Sequence, residues 1–167
     1  MNKTEFIATL NAELAAWETC LAQVGKARMA ESGVTGEWSV KDMIAHITWF
    51  EREMVGVLRA RALIGSDLWN LPQDQRNAAI FEQNRYRSLD DVLAEAPWVY
   101  PQLVEAVHTL DDQDLNDPSR FTDMPADWVP WQIIAGNSFE HYRAHASDVR
   151  AWLDTQAPIP HLQIRQT

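Results

Sequence analysis

The sequence predicts an all-α protein, an antiparallel four-helix bundle with one extra short helix and long loops. Three observations carry this. Four long segments repeat apolar residues at threes and fours, the spacing of a helix face turned toward a core. Two of them open on a serine followed three residues later by an aspartate, Ser39 with Asp42 and Ser88 with Asp91, which resembles a capping box with Asp in place of Glu. No stretch of useful length alternates with period two, and no internal repeat is present. A chain of 167 residues fits one domain, assigned to residues 1–155, with 156–167 left as a tail containing Pro158, Pro160 and His161.

The first helix is expected from Thr4 to Val24, with Phe6, Leu10, Leu14, Trp17, Leu21 and Val24 on its inward stripe. Cys20 lies beside that stripe with no basic neighbours in sequence and reads as a buried filler. A loop follows through Gly25, Gly33 and Gly36. The second helix is expected from Ser39 to near Leu63, its stripe formed by Val40, Met43, Ile47, Phe50, Met54 and Leu58, with Asp42, His46, Trp49 and Glu53 on one shoulder. After a break at Gly65–Pro72 comes a short helix from Asp74 to Arg85. The third long helix opens at Leu89; Pro97 and Pro101 inside it predict a kink or a short interruption, because proline lacks the amide hydrogen and constrains the residue before it. His108 on this helix reads as a surface residue.

From Asp111 to Pro130 periodicity is lost. The cluster Asp111, Asp112, Asp114 and Asp117 lacks the central Gly and closing Glu of an EF-hand and reads as a solvated loop. A long unpatterned stretch in a compact domain is often a lid, and this one carries Trp128 and Trp131 to the start of the last helix. That helix, Gly136 to Leu153, organises the whole reading. Ile134, Asn137, His141, His145, Asp148 and Trp152 fall along one line, and Glu140, Arg143, Ser147 and Arg150 along the other. Residues four apart point the same way, so His141 and His145 can reach one point from a stripe where leucine would be ordinary.

Composition narrows the partners. A net charge of −10 works against nucleic acid and against anionic membranes, since both need basic surface. The partner expected is a small-molecule substrate, with a homodimer as an allowed assembly. No apolar run approaches the roughly 18 residues of a membrane span, and a single cysteine suits a reducing cytoplasm. Eight tryptophans serve either as core filler or as the lining of a pocket for a bulky, partly apolar ligand.

His141 and His145 supply two imidazoles, and His46 on the second helix could supply a third. Three neutral imidazoles and an open position are the coordination of a catalytic zinc-type site, in which water becomes a nucleophile near neutral pH. Nickel or iron accept the same donors. Asp42, Glu53 and Asp148 are candidates to orient the ligands, and Asn137, Trp49, Trp128 and Trp131 to contact substrate. Tyr142 after His141 takes the place of the glutamate in H-E-x-x-H, so peptide hydrolysis is not indicated.

GEWSVKDMIAH in the second helix, together with EHYRAHASDVRAWL in the last, resembles the DinB/YfiT-like four-helix bundle superfamily over Thr4 to Leu153. GNSFEHYRAH is similar to its ClbS/DfsB branch. The resemblance implies a metal site at His46, His141 and His145, and activities that include thiol-dependent transfer and metal-dependent hydrolysis. The branch implies self-protection by hydrolysing a strained electrophilic ring of a small metabolite, chemistry that needs no metal. The cofactor is therefore one divalent ion or none. Three readings stand: an electrophile-detoxifying hydrolase, a metal-assisted thiol transferase, and a non-catalytic protein that sequesters an aromatic or electrophilic ligand. Beside them, the histidines could be core residues bonded to Asn137, Asp148 or Asp42.

Overall fold

The structure is a computed structural model that describes residues 1–156; the tail from 157 onward, with Pro158, Pro160 and His161, lies outside the described residues. Four long helices form the bundle: α1 (Lys3–Val24), α2 (Val40–Ala60), α4 (Leu89–His108) and α7 (Phe139–Gln156). Each touches two of the others, α1 against α7 and α4, α2 against α4 and α7. Three short helices fill in around them: α3 (Gln73–Asn84), α5 (Asp112–Asn116) and α6 (Pro130–Gly136). Among the described residues no helix is long and apolar enough to cross a membrane.

The caps are where the sequence places them. The Ser39 and Asp42 side chains exchange hydrogen bonds with each other's backbone amides and open α2, and the Ser88 hydroxyl accepts from the Asp91 amide at the start of α4. Asn2 with Glu5 forms a further box at α1. Gly25 ends α1 at φ 74°, a conformation that favours glycine. The second helix stops earlier than Leu63, because Arg61 turns left-handed at φ 49°. Its guanidinium is held there by Asp114, 2.6 Å away.

Several expectations are corrected. α4 runs unbroken through Pro97 and Pro101, so tertiary packing outweighs the two lost amide donors. The glycine loop contains a small antiparallel hairpin, β1 (Ser32–Thr35) with β2 (Trp38–Ser39), too short to give a period-two signal. The acidic stretch after Asp111 is not a solvated loop. Asp111 and Asp114 cap α5 reciprocally, and Asp114 is buried, its Oδ1 accepting from Arg120 Nε at 2.8 Å as well as pairing with Arg61. Burial alone would raise the Asp114 carboxyl; the bonds from Arg61 and Arg120 outweigh it and hold the group below the usual carboxylate range. Asp114→Asn should therefore lower the unfolding free energy by about 2 kcal/mol, the range of a hydrogen bond to a charged group. Urea unfolding reads it, and an unchanged midpoint would mean that the two half-exposed arginines contribute nothing.

The last helix is also divided. α6 ends at Asn137 (φ −105°, ψ 12°). There the Asn137 side chain donates to the Ile133 carbonyl at 2.7 Å and the Ser138 hydroxyl to the Ile134 carbonyl at 2.6 Å, which occupies the acceptors of the last turn. α7 restarts at Phe139. Its buried line is Phe139, Tyr142, Ala146, Val149 and Trp152, with His141, His145 and Asp148 half-buried at the edge of it. The polar side read from the sequence, Glu140, Arg143, Ser147 and Arg150, does face water.

Candidate metal centre

α2 is enclosed by α4, α7, α3 and the hairpin, and residues on most of its circumference are buried. His46, expected on a half-exposed shoulder, is only 3% exposed for that reason. α2 and α7 turn His46 toward His141 and His145. The three ring centroids stand 5.2, 5.3 and 5.6 Å apart, and one ligand atom from each lies within 4.8 Å of the others.

The polar accounting of these rings is incomplete. His46 Nδ1, His141 Nδ1 and His145 Nε2 are buried and have no hydrogen-bond partner among the described residues, although buried polar atoms are nearly always satisfied. His145 Nδ1 lies 3.3 Å from Asp148 Oδ2. A carboxylate only accepts, so this contact places the ring proton on Nδ1 and leaves Nε2 with its lone pair. Burial, followed by the charges of the neighbouring imidazoles and of Arg76, pushes His46 down to about 2 and His141 down to about 4. Burial also lowers His145, partly offset by Asp148. Three neutral imidazoles with free lone pairs, and neither thiolate nor carboxylate in the set, fit a borderline divalent ion such as zinc or nickel.

Aromatic rings pack around this set. Phe50 meets His46 at 4.8 Å and His141 at 4.6 Å, and Trp38 meets His46 at 5.0 Å. Trp69 contacts Phe50 and Trp49. Beyond Trp69 opens a cavity of about 660 Å³ lined by Met54, Trp69, Arg76, Trp128, Ile133 and Asn137, among others. The Arg76 guanidinium lies 4.8 Å over the Trp69 ring, its Nε buried without a partner among the described residues. It also lies 5.8 Å over the Phe50 ring, the ring that packs on His46 and His141, so Phe50 and Trp69 stand between the cavity and the imidazoles.

The residues singled out from the sequence thus separate. Asp148 is on His145, while Asn137 and Trp128 line the cavity, Trp128 at 40% exposed. Trp131 packs partly buried against the core, and Trp49 is buried behind the cavity wall against Phe50 and Trp69. Asp42 is absorbed in capping α2 and in an ion pair with Lys41 at 3.0 Å. Glu53 accepts from Ser66 N at 2.8 Å and Trp69 Nε1 at 2.9 Å, fastening the segment after α2. Sequence reasoning missed Trp38 and Phe50 against the histidines, and Trp69 and Arg76 packed on Phe50 behind them. Phe50, four residues after His46, was within reach of helical spacing; the others come from separate elements. With Asp148 orienting His145, Asp148→Asn should weaken metal affinity roughly 10–100-fold, measured by competition with a chromogenic chelator. An unchanged affinity would show that the 3.3 Å contact is incidental.

Comparison with known proteins agrees with this architecture. The family model described as the DinB superfamily matches residues 1–149. Among solved structures, an uncharacterised protein from Escherichia coli UTI89 superposes with a TM-score of 0.76 at 15% identity, over 93% of this chain and 94% of that one. A protein described as sibling lethal factor precursor, DfsB, gives 0.78 at 15% identity over 95% and 99%. A protein from Streptococcus pneumoniae gives 0.74 at 13% identity over 92% and 91%. At such identities the likeness concerns the fold alone. No curated protein matches the chain.

Proposed function

Because the chain belongs to the DinB superfamily and gathers three imidazoles near an aromatic cavity, we propose that it is a metal-assisted hydrolase that removes small, partly apolar electrophiles. The observation that carries this reading is the convergence of His46, His141 and His145, each with a buried nitrogen that has no partner among the described residues. These residues would hold the ion, and the cation would supply the Lewis acidity that makes water nucleophilic near neutral pH. The chain's own residues do the rest. Asp148 fixes the His145 ring. Trp69, Trp128 and Met54 give the substrate an apolar bed, and Asn137 a polar contact. Likeness to DfsB in fold is compatible with a protective role of this kind.

One observation favours a second reading, transfer of a low-molecular-weight thiol. Arg76 lines the cavity, and among the described residues its guanidinium is in no ion pair, so it could bind the carboxylate of a thiol cosubstrate. Sequestration alone is less well supported, since a pure binding cavity needs no converging imidazoles.

The test is turnover of a panel of small esters and strained-ring electrophiles by protein purified without a tag, loaded with zinc, nickel or iron(II), with and without thiol. Hydrolysis that requires metal and ignores thiol supports the main reading; rates that require thiol and fall with Arg76→Ala support the second. Trp128→Ala should weaken substrate binding about tenfold, or about 1.4 kcal/mol, at unchanged stability. Trp131→Ala should instead lower stability. Metal-loaded protein inert toward every substrate would overturn both enzymatic readings.

A further inference from the structure

A second cavity, of about 370 Å³, lies between α1, α2, α4 and α7. Its walls are apolar, with Trp17, Ile47, Leu93 and Pro97 among them. Its polar groups are Glu18, Thr48, Glu51, Tyr100 and Tyr142. The hydroxyl protons among these are already committed. Thr48 donates to the Ile44 carbonyl at 2.8 Å, Tyr100 to Asn11 Oδ1 at 2.8 Å, and Tyr142 to Glu51 Oε1. What remains is acceptors. Glu51 is 2% exposed, and its Oε2 receives no donor among the described residues.

The two prolines of α4 add to this excess. Proline brings no amide hydrogen, so Pro97 and Pro101 leave the carbonyls of Leu93 and Pro97 without their donors four residues on. Leu93, Pro97 and Pro101 all line the cavity. Among the described residues no lysine or arginine lines it, and Glu18 places a further carboxylate at its exposed rim.

An apolar chamber whose unspent polar valence is entirely acceptor, with one carboxylate inside and one at the mouth, selects a ligand that brings donors and positive charge. We infer that this cavity is a binding site for an organic ammonium ion carrying an alkyl or aryl body. The ammonium donates to Glu51 Oε2 and to the freed α4 carbonyls, while the body lies against Trp17, Ile47 and Leu93. Prolines inside a helix, a cost to the helix by themselves, gain a role as the source of those carbonyls. Burial pushes the Glu51 carboxyl up to about 7, and a cation beside it would favour the ionised form.

The probe is 4-phenylbutylammonium, titrated calorimetrically at about pH 8, with 4-phenylbutanol and 4-phenylbutyrate as neutral and anionic analogues. The expected result is one site per chain, with the ammonium bound at least roughly tenfold tighter than the alcohol and no uptake of the carboxylate. Glu51→Gln should bring the ammonium down to the level of the alcohol. Should Glu51→Gln fail to fold, Ala96→Trp at the cavity wall still decides, since it fills the chamber and should abolish binding of every probe. Trp128→Ala, in the other cavity, should leave ammonium binding unchanged. Equal binding of alcohol and ammonium, binding that survives Ala96→Trp, or loss of binding in Trp128→Ala would each overturn the assignment.

Discussion

His141→Ala and His145→Ala should each reduce metal uptake from one ion per chain to a small fraction, with the bundle still folded. Uptake is measured on untagged protein after equilibration with zinc or nickel. The fold should survive because α7 is anchored by Phe139, Tyr142, Ala146, Val149 and Trp152, while both histidines sit at the edge of that line. His46→Ala should abolish uptake too, but with some loss of stability, since His46 is buried against Trp38 and Phe50. The pH dependence is a sharper check. Protons compete with a metal for imidazole nitrogens, and free histidine titrates near 6.5. Here burial pushes His46 to about 2 and His141 to about 4, and lowers His145 as well. Metal content should therefore hold nearly constant from about pH 7.5 to 6, where a site of exposed histidines would already be losing its ion. A wild type that never takes up metal but loses activity on His141→Ala would move the imidazoles to general acid–base work.

The bundle was legible because its information is local. Apolar spacing and the Ser39–Asp42 and Ser88–Asp91 caps depend on residues within four positions of each other, and α1, α3 and α4 begin within a residue or so of the places so marked. The meeting of His46 with the histidine pair was approachable on the same footing, as three imidazoles beside apolar stripes of two helices. Where reading failed, the cause was tertiary. Periodicity ranks faces of a helix but not how many neighbours enclose it, so the near-complete burial of α2 was invisible, and with it the burial of His46 and Glu51. Tyr142 fell between the apolar and polar lines drawn for the last helix, yet it lies at the centre of the buried one. Asp114 looked like part of a solvated acidic run because its partner Arg61 stands 53 positions earlier. Arg76 could not be joined to His46 by any spacing rule, since they belong to different helices.

Glu51→Gln should stabilise the protein at alkaline pH by about 3 kcal/mol and remove a pH slope that the wild type shows. Glu51 is enclosed by the bundle and, among the described residues, bonded only by the Tyr142 hydroxyl. Burial pushes its carboxyl up from 4.5 to about 7, with the Tyr142 bond opposing. The folded state therefore holds a proton that the unfolded state has released between those two values. Stability falls wherever the folded state binds more protons and pH rises. The loss begins near 4.5, is complete once pH passes about 7, and at about 1.4 kcal/mol per pKa unit amounts to about 3 kcal/mol. The histidines slope the other way. Their folded pKa values lie below the ordinary 6.5, so the unfolded state takes up protons first and stability falls as pH drops beneath that value. In the wild type the two slopes oppose each other between about 4.5 and 6.5. The substituted amide keeps an oxygen for Tyr142 and carries no charge, so only the histidine slope should remain. Urea unfolding of both proteins at about pH 5, 7 and 8.5 measures the difference. Curves that stay parallel across that range would mean that Glu51 is hydrated in the folded state, as a carboxylate open to water would be.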